Sequence, residues 1–294
     1  EPSITDMGHH FGRSVALHED SLAFDGGRCG GALRINGQLI DSSTEKFGDE
    51  GGSVYILSRA GTTWTKQGHI KAANTHVGDG FGTSLSLEGN TLAIGAATEG
   101  SRAHPVAGGG SDIVEHSGAV YIFTRSDDTW SQCAHLKAPN PVQGEFFGIA
   151  VSLDGDRLAV GAHAPGLDDY KHDQRYKADR YKNPVSEGGS VHLFKNSGEN
   201  WVRHSKLRPA YGGGKRSDDH MGCAVSLDGE ILVAGARRDP NCQSDNSGNG
   251  VISDGTHPAS GAAWIFETLA LETPVDHLGA QDRAKMRRGG LRLV

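Results

Sequence analysis

The sequence contains no apolar run approaching the length that spans a bilayer, which argues against membrane insertion by a helix. It has no basic excess either. The formal net charge is −7, with acids and bases interspersed. Nucleic acid is therefore not expected as a partner, because a duplex-binding surface needs a basic stripe. The one basic cluster, Arg283, Lys285, Arg287, Arg288 and Arg292, reads as a solvated terminus, with an anionic partner as the alternative. The four cysteines, Cys29, Cys133, Cys223 and Cys242, form no close-spaced metal pattern. The sequence has no Gly-x-Ser-x-Gly elbow, no His-Glu-x-x-His and no phosphate loop, so a non-enzymatic protein is expected. Amphipathic helical periodicity is missing before residue 275.

What the chain has in quantity is glycine, 43 of 294 residues, set between short β-branched runs without a three-residue period. That composition describes many turns and small strands. The glycines punctuate a repeat. Phe81-Gly82-Thr83-Ser84-Leu85-Ser86-Leu87, a tight Glu88-Gly89-Asn90, then Thr91-Leu92-Ala93-Ile94-Gly95-Ala96 form one unit. It recurs from Phe147, from Met221 and, at the start of the chain, from Phe11, about 70 residues apart. Alternation and β-branched content mark four strands per unit. In the second unit they are Thr83–Leu87, Thr91–Ala96, 118–123 and 130–136. The turns Glu88-Gly89-Asn90 and Ser126-Asp127-Asp128 are short enough to make antiparallel hairpins of strands one and two and of strands three and four.

Tandem four-stranded antiparallel units predict an all-β fold, a β-propeller with one unit per blade. The small residues of strand one suit the crowded axis, and the Trp of strand four suits the rim. One domain over 1–273 is expected, with blades at about 7–74, 75–140, 141–210 and 211–273 and a basic tail over 274–294. The alternative is part of a larger, seven-bladed ring. In the fourth unit no Trp follows where strand four should begin, so Leu269-Ala270-Leu271 or another chain is expected to supply the outer strand.

These residues resemble the FG-GAP repeats of integrin α-subunit propellers, and more closely their bacterial and algal relatives. Ser117-Gly118-Ala119-Val120-Tyr121-Ile122-Phe123, Ile70-Lys71-Ala72 and Leu136-Lys137-Ala138 carry the likeness, which covers about residues 7–268. The Pro of the Gly-Ala-Pro element is replaced by Ala97, His163 and Arg237. The integrin calcium loop between strands one and two does not carry over. A turn such as Asp154-Gly155-Asp156 is too short to gather six to eight oxygens.

The connections from strand two to strand three are long in every unit: 27–52, 97–118, 163–189 and 237–261. Strand alternation brings all four to one face, where binding is expected. In the third, Tyr170, His172, Arg175, Tyr176 and Tyr181 either stack on a sugar or grip a protein, or pack on their own blade. Asn36 and Gln38 lie in an Ile-Asn-Gly-Gln stretch of the first that resembles a loop of the bacterial relatives. Asp239, Asn241, Asp245 and Asp254 in the fourth either hold Ca²⁺ or cap turns through their own side chains. Cys29 and Cys242 follow strand two of the first and fourth units. In a closed four-blade ring those blades are neighbours, and the two cysteines form either a closing disulfide or separate thiols. Cys133 and Cys223 are expected as buried free thiols. Of the fifteen histidines, His163 and His220 fall near the axis. No histidine spacing repeats across units, so these are expected to be isolated.

The opening Glu1-Pro2-Ser3 lacks Met and an apolar leader, consistent with a removed secretion signal and equally with an arbitrary boundary. The expectation is a secreted or cell-surface recognition or adhesion module that binds a protein or glycan. One alternative is a structural subunit of an extracellular assembly or homo-oligomer joined at the fourth blade edge. A loop-face hydrolase or lyase is the other.

Overall fold

The computed structural model describes residues 12–27, 33–35, 38–41, 51–74, 76–101, 114–163, 189–198, 200–208, 220–237, 251–252 and 262–268. Among these the chain has no helix and forms four antiparallel four-stranded sheets, the blades of a β-propeller scaffold. Blade 1 orders β1 (Val15–His18), β2 (Ser21–Asp25), β5 (Val54–Ala60) and β6 (Thr63–Ile70). Blade 2 comprises β7 (Phe81–Glu88), β8 (Thr91–Ala96), β9 (Ala119–Ser126) and β10 (Thr129–Leu136). Blade 3 is β11 (Phe147–Asp154), β12 (Arg157–Ala162), β13 (Ser190–Asn196) and β14 (Trp201–Leu207).

Blade 4 departs from the pattern. β15 (Met221–Asp228), β16 (Ile231–Ala236) and β18 (Ala262–Glu267) take the first three places. The outer place is held by β17 (Val251–Ile252), which pairs with Trp264 and Ala263 of β18. That strand comes from inside the connection between strands two and three, where the sequence reading looked instead to 269–271, which lie outside the described residues. A further hairpin, β3 (Leu33–Ile35) with β4 (Gln38–Asp41), lies in the first long connection. Its Ile35↔Gln38 register leaves only Asn36-Gly37 between the strands, the strongest short hairpin signal a sequence can carry.

The turns follow from sequence. Glu88 pairs with Thr91 and Asp154 with Arg157, so two residues close each hairpin. Such turns need positive φ at the first position, supplied by Gly89 at 53° and Gly155 at 59°. In blade 1 Glu19 takes that conformation at 50° without glycine's freedom. Strand three then locks each turn: the N–H groups of Arg59, Arg125, Asn196 and Thr268 donate to the carbonyls of Asp20, Asn90, Asp156 and Glu230. The turn side chains are engaged too. Arg59 Nε donates to Asp20 Oδ1 at 2.9 Å, Arg125 Nε to Asn90 Oδ1 at 2.9 Å, and Lys195 Nζ lies 3.8 Å from Asp156 Oδ2.

The core lies between blades. Ala23, Val54 and Ile56 of blade 1 pack on Phe81, Leu92 and Ile94 of blade 2. Val120 and Ile122 of blade 2 pack on Phe147, Leu158 and Val160 of blade 3. Ala159, Val191 and Leu193 of blade 3 pack on Met221, Leu232 and Trp264 of blade 4. Each large side chain so buried contributes about 1.5–3 kcal/mol.

Outer strands β6, β10 and β14 all bulge, between Ile56/Leu57, Gln132/Ala134 and Leu193/Phe194 of their respective ladders. The bulge in β10 holds Cys133, and turning it outward corrects the expectation of burial: Cys133 is a free, exposed thiol. Cys223 is a free thiol of intermediate exposure.

Candidate functional site

Strand directions place the long connections as expected. β2 and β5 pair at Asp25↔Val54, β8 and β9 at Ala96↔Ala119, β12 and β13 at Ala162↔Ser190, and β16 and β18 at Ala236↔Ala262. Each long connection therefore leaves and returns at one end of its blade, and the two-residue turns sit at the other.

At the long-connection end, neighbouring blades are stitched by backbone. Gly118 bridges Phe147, and Gly189 bridges Met221, in parallel fashion. Phe81 N–H donates to Gly51 and Phe147 N–H to Ser117. The approach is so close that a Cβ on Gly118 would lie 2.0 Å from the Phe147 carbonyl oxygen, and one on Gly189 2.2 Å from that of Met221. Glycine is needed here for space as well as for its positive φ.

Above the seam between blades 1 and 2 lies a buried charge pair. Lys137 Nζ donates to Glu99 Oε2 at 2.5 Å and to Ser117 Oγ at 3.0 Å. Both charged side chains are almost fully buried. Glu99 Oε1 accepts from Ser101 N–H at 2.9 Å and from Asn74 Nδ2 at 3.5 Å, and Tyr121 Oη donates to Asn74 Oδ1 at 2.8 Å. Burial lowers the Lys137 pKa while the Glu99 carboxylate opposes the shift. Asp79, just before the Phe81-Gly82 strand, is pushed up to about 6 by burial, although the His76 N–H it accepts pulls the other way. Blade 3 has a counterpart. Glu145 lies 3.3 Å from Lys206 Nζ and 3.7 Å from His192 Nε2. Burial pushes the Glu145 carboxyl up, but His192 and Lys206 outweigh it and hold it below the ordinary range.

A line of rings crosses the same end from blade 2 to blade 4. His116 and Phe146 stand 5.6 Å apart, Phe146 and His163 5.3 Å, and His163 and His220 5.4 Å edge to face. Arg237 Nη2 lies 3.4 Å from His220 Nδ1. The histidines read as isolated in sequence thus meet in the fold, because His163 follows strand two of blade 3 and His220 precedes strand one of blade 4. Burial, then the charges of His220 and Arg237, push His163 down to about 3, so it is neutral at physiological pH. Among the described residues no group of three or more His, Cys, Asp or Glu side chains is placed to hold a metal ion.

The opposite end has a cleft of about 700 Å³ between blades 3 and 4, lined by Asp156, Arg157, Lys195, Arg203, His204 and Glu230 among others. Much of its charge is committed internally. Arg157 donates to Asp154 Oδ2 and, at 3.2 Å, to Thr268 Oγ1, and Lys195 faces Asp156.

Of the residues expected to bind, Gln38 opens β4. Asn36, Tyr170, His172, Arg175, Tyr176 and Tyr181 lie outside the described residues, as do Asp239, Asn241, Asp245, Asp254, Cys29 and Cys242. The structure fixes the strand ends from which their connections depart. Sequence reasoning missed the Glu99–Lys137 pair and the junction acids. A signal was present: Asp79 and Glu145 each stand two places before the Phe of their unit, and Lys137 is the central residue of a Leu-Lys-Ala element.

A family model of the FG-GAP repeat matches residues 64–123 and 130–194. Each match begins in or beside an outer Trp strand and runs into the third strand of the next blade, so the sequence repeat straddles the blade boundary. No curated protein matches the chain. Among solved structures the chain is similar to the phage phi92 endosialidase, at 13% identity and a TM-score of 0.39. The alignment covers 91% of this chain and 36% of that one, and so distant a likeness carries no argument about activity.

Proposed function

Because the chain carries FG-GAP repeats on a β-propeller scaffold, we propose that it is a non-catalytic, extracellular recognition module that binds a protein or glycan through its long-connection face. FG-GAP propellers are an extracellular type of binding or structural module, and no helix among the described residues is long and apolar enough to cross a membrane. The observation that carries the reading is the asymmetry between the two ends. One end is closed by two-residue turns whose side chains are tied down. The other is a glycine-stitched, ion-paired platform from which every long connection departs. Rigid frames that present variable connections are the usual way such folds bind. In this reading Tyr170, His172, Arg175, Tyr176 and Tyr181 supply the contact surface of the third connection. Asp239, Asn241, Asp245 and Asp254 hold a stabilising Ca²⁺ in the fourth.

The test is binding of the purified chain to a glycan array and to a panel of extracellular proteins. It is repeated with residues 164–188 replaced by a Gly-Ser linker and with Tyr176→Ala/Tyr181→Ala. Binding that depends on the third connection supports the proposal. Binding unaffected by either change removes that connection from the site. A thermal midpoint unchanged between excess Ca²⁺ and chelator removes the metal.

A further inference from the structure

The blades pack in series, 1 on 2, 2 on 3 and 3 on 4, and no comparable packing of blade 4 on blade 1 occurs among the described residues. Equivalent side chains show the consequence. Leu87, Leu153 and Leu227, on the first strands of blades 2, 3 and 4, are 7%, 8% and 5% exposed, each covered by the preceding blade. Leu17, their counterpart in blade 1, is 65% exposed, and Val15 beside it 66%. At the other end Ser226 and Ile231 are exposed, and Val233, Gly235, Ala263 and Ile265 are only half-buried. Their counterparts Ala93, Val120 and Ile122 in blade 2 are fully buried. The arc has one uncovered face at each end.

The two faces carry the two halves of a contact the chain already makes internally. At the junctions of blade 2 with 3 and of blade 3 with 4 the glycine carbonyl of the incoming strand seats on a glycine of the preceding blade, whereas blade 1 has Asp25 at that place. A Cβ on Gly95 would lie 2.0 Å from the Gly148 oxygen, and one on Gly161 2.0 Å from the Gly222 oxygen. An N–H of the incoming strand then meets a serine. Leu153 N–H donates to Ser86 Oγ at 2.9 Å, and Leu227 N–H to Ser152 Oγ at 3.0 Å. Blade 4 presents the same receiving pair, Ser226 and Gly235. Nothing lies closer to a Cβ on Gly235 than Ala224 Cβ and Cys223 Sγ at 3.5 Å. Blade 1 presents the same entering pair: Leu17, and Gly12 with nothing within 4 Å of a Cβ.

We propose that blade 4 of one chain receives blade 1 of a second copy, head to tail, with Gly12 seated on Gly235 and Leu17 N–H donating to Ser226 Oγ. In two copies of residues 12–268 joined at both ends the blades number eight, within the size range of propellers. The contact is heterologous: the same two different patches meet twice around a two-fold axis. It is independent of what the long-connection face binds.

Gly235→Ala separates docking from folding. In the single chain the added methyl makes only ordinary contacts at 3.5 Å, and Gly235 is not among the residues with positive φ. In the docked pair the methyl would meet the Gly12 oxygen at the roughly 2 Å separation seen at Gly95 and Gly161. Sedimentation velocity across a hundredfold concentration range is expected to show the unmodified chain as a dimer. Gly235→Ala and Leu17→Lys should each weaken association by about tenfold or more, with the thermal midpoint unchanged at concentrations low enough that all the chains are monomeric. Mixing the two variants should restore one junction, because each keeps one intact patch, and yield a one-to-one open pair. A chain that stays monomeric at the highest concentration overturns the proposal, as does a Gly235→Ala variant that associates normally. A mixture that shows no rescue rules out head-to-tail geometry.

Discussion

Replacing Lys137 by Met should be the most damaging conservative change outside the apolar core. The side chain that leaves is buried, and so is the carboxylate left behind. Glu99 would keep Ser101 N–H and Asn74 Nδ2 but no cation, in a site closed to water. Breaking a buried pair from one side costs about 3–5 kcal/mol, a large share of the roughly 5–15 kcal/mol that holds a domain together. Adding Glu99→Gln should recover most of it, since Gln keeps an acceptor for Ser101 N–H and brings no charge. The double variant should lose only about 1–2 kcal/mol, well short of the sum of the two single losses. Urea unfolding followed by tryptophan fluorescence reads these differences, because Trp130 lies in the cluster between blades 1 and 2. A single variant that loses less than about 1 kcal/mol, or a double that loses the sum of the singles, would refute the account of this junction.

Asp79, with its carboxyl raised from 3.8 to about 6, is charged at pH 7 at the expense of the fold; the deficit develops as pH rises from about 4 to 6. Asp79→Asn, which still accepts from His76 N–H, should therefore raise stability at pH 7 by roughly 1–3 kcal/mol and have no effect near pH 4. His163 acts in the opposite sense. Its folded pKa of about 3 lies below the unfolded 6.5, so the stability it allows is complete above pH 6.5 and is lost below it by about 1.4 kcal/mol per pH unit. Acid titration of a His163→Phe variant should show a shallower slope in that window. Gly118→Ala, with φ at +81° and a backbone oxygen 2.0 Å from the new methyl, should cost about 2–5 kcal/mol by chemical denaturation. Gly155→Ala, at a turn with nothing within 4 Å, should cost only about 1–2 kcal/mol.

The hairpins were legible in the sequence because local rules write them. Gly89 and Gly155 mark two-residue turns, and the alternation on either side fixes which side chains face a neighbouring blade. Positions of β7 and β8 followed to within two residues at their ends. The short strand β17 was not legible: two residues inside a polar connection carry no period, and only the open edge of β18 selects them. Nor were the junction pairs. Glu99 and Lys137 follow β8 and β10 of one blade, and His163 and His220 come from different blades. The first meeting depends on strand order within the sheet and the second on how one blade seats on the next, and no local spacing encodes either. The histidines in particular looked isolated because each stands alone in its own unit.

The seam at Gly52, Gly118 and Gly189 joins blade to blade through main-chain atoms, and the residues that close on it are themselves the boundaries of the long connections. A joint made of backbone asks nothing of the amino acids in the loop that springs from it, beyond the glycine where the loop returns. Insertions, deletions and wholesale changes of composition between those anchor points leave the joint intact. Within one chain the connections already differ in length and character, from the Asn-Gly hairpin of the first to the tyrosines of the third, over frames that share a register. Ligand preference can therefore be exchanged cassette by cassette, with the frame inherited unchanged.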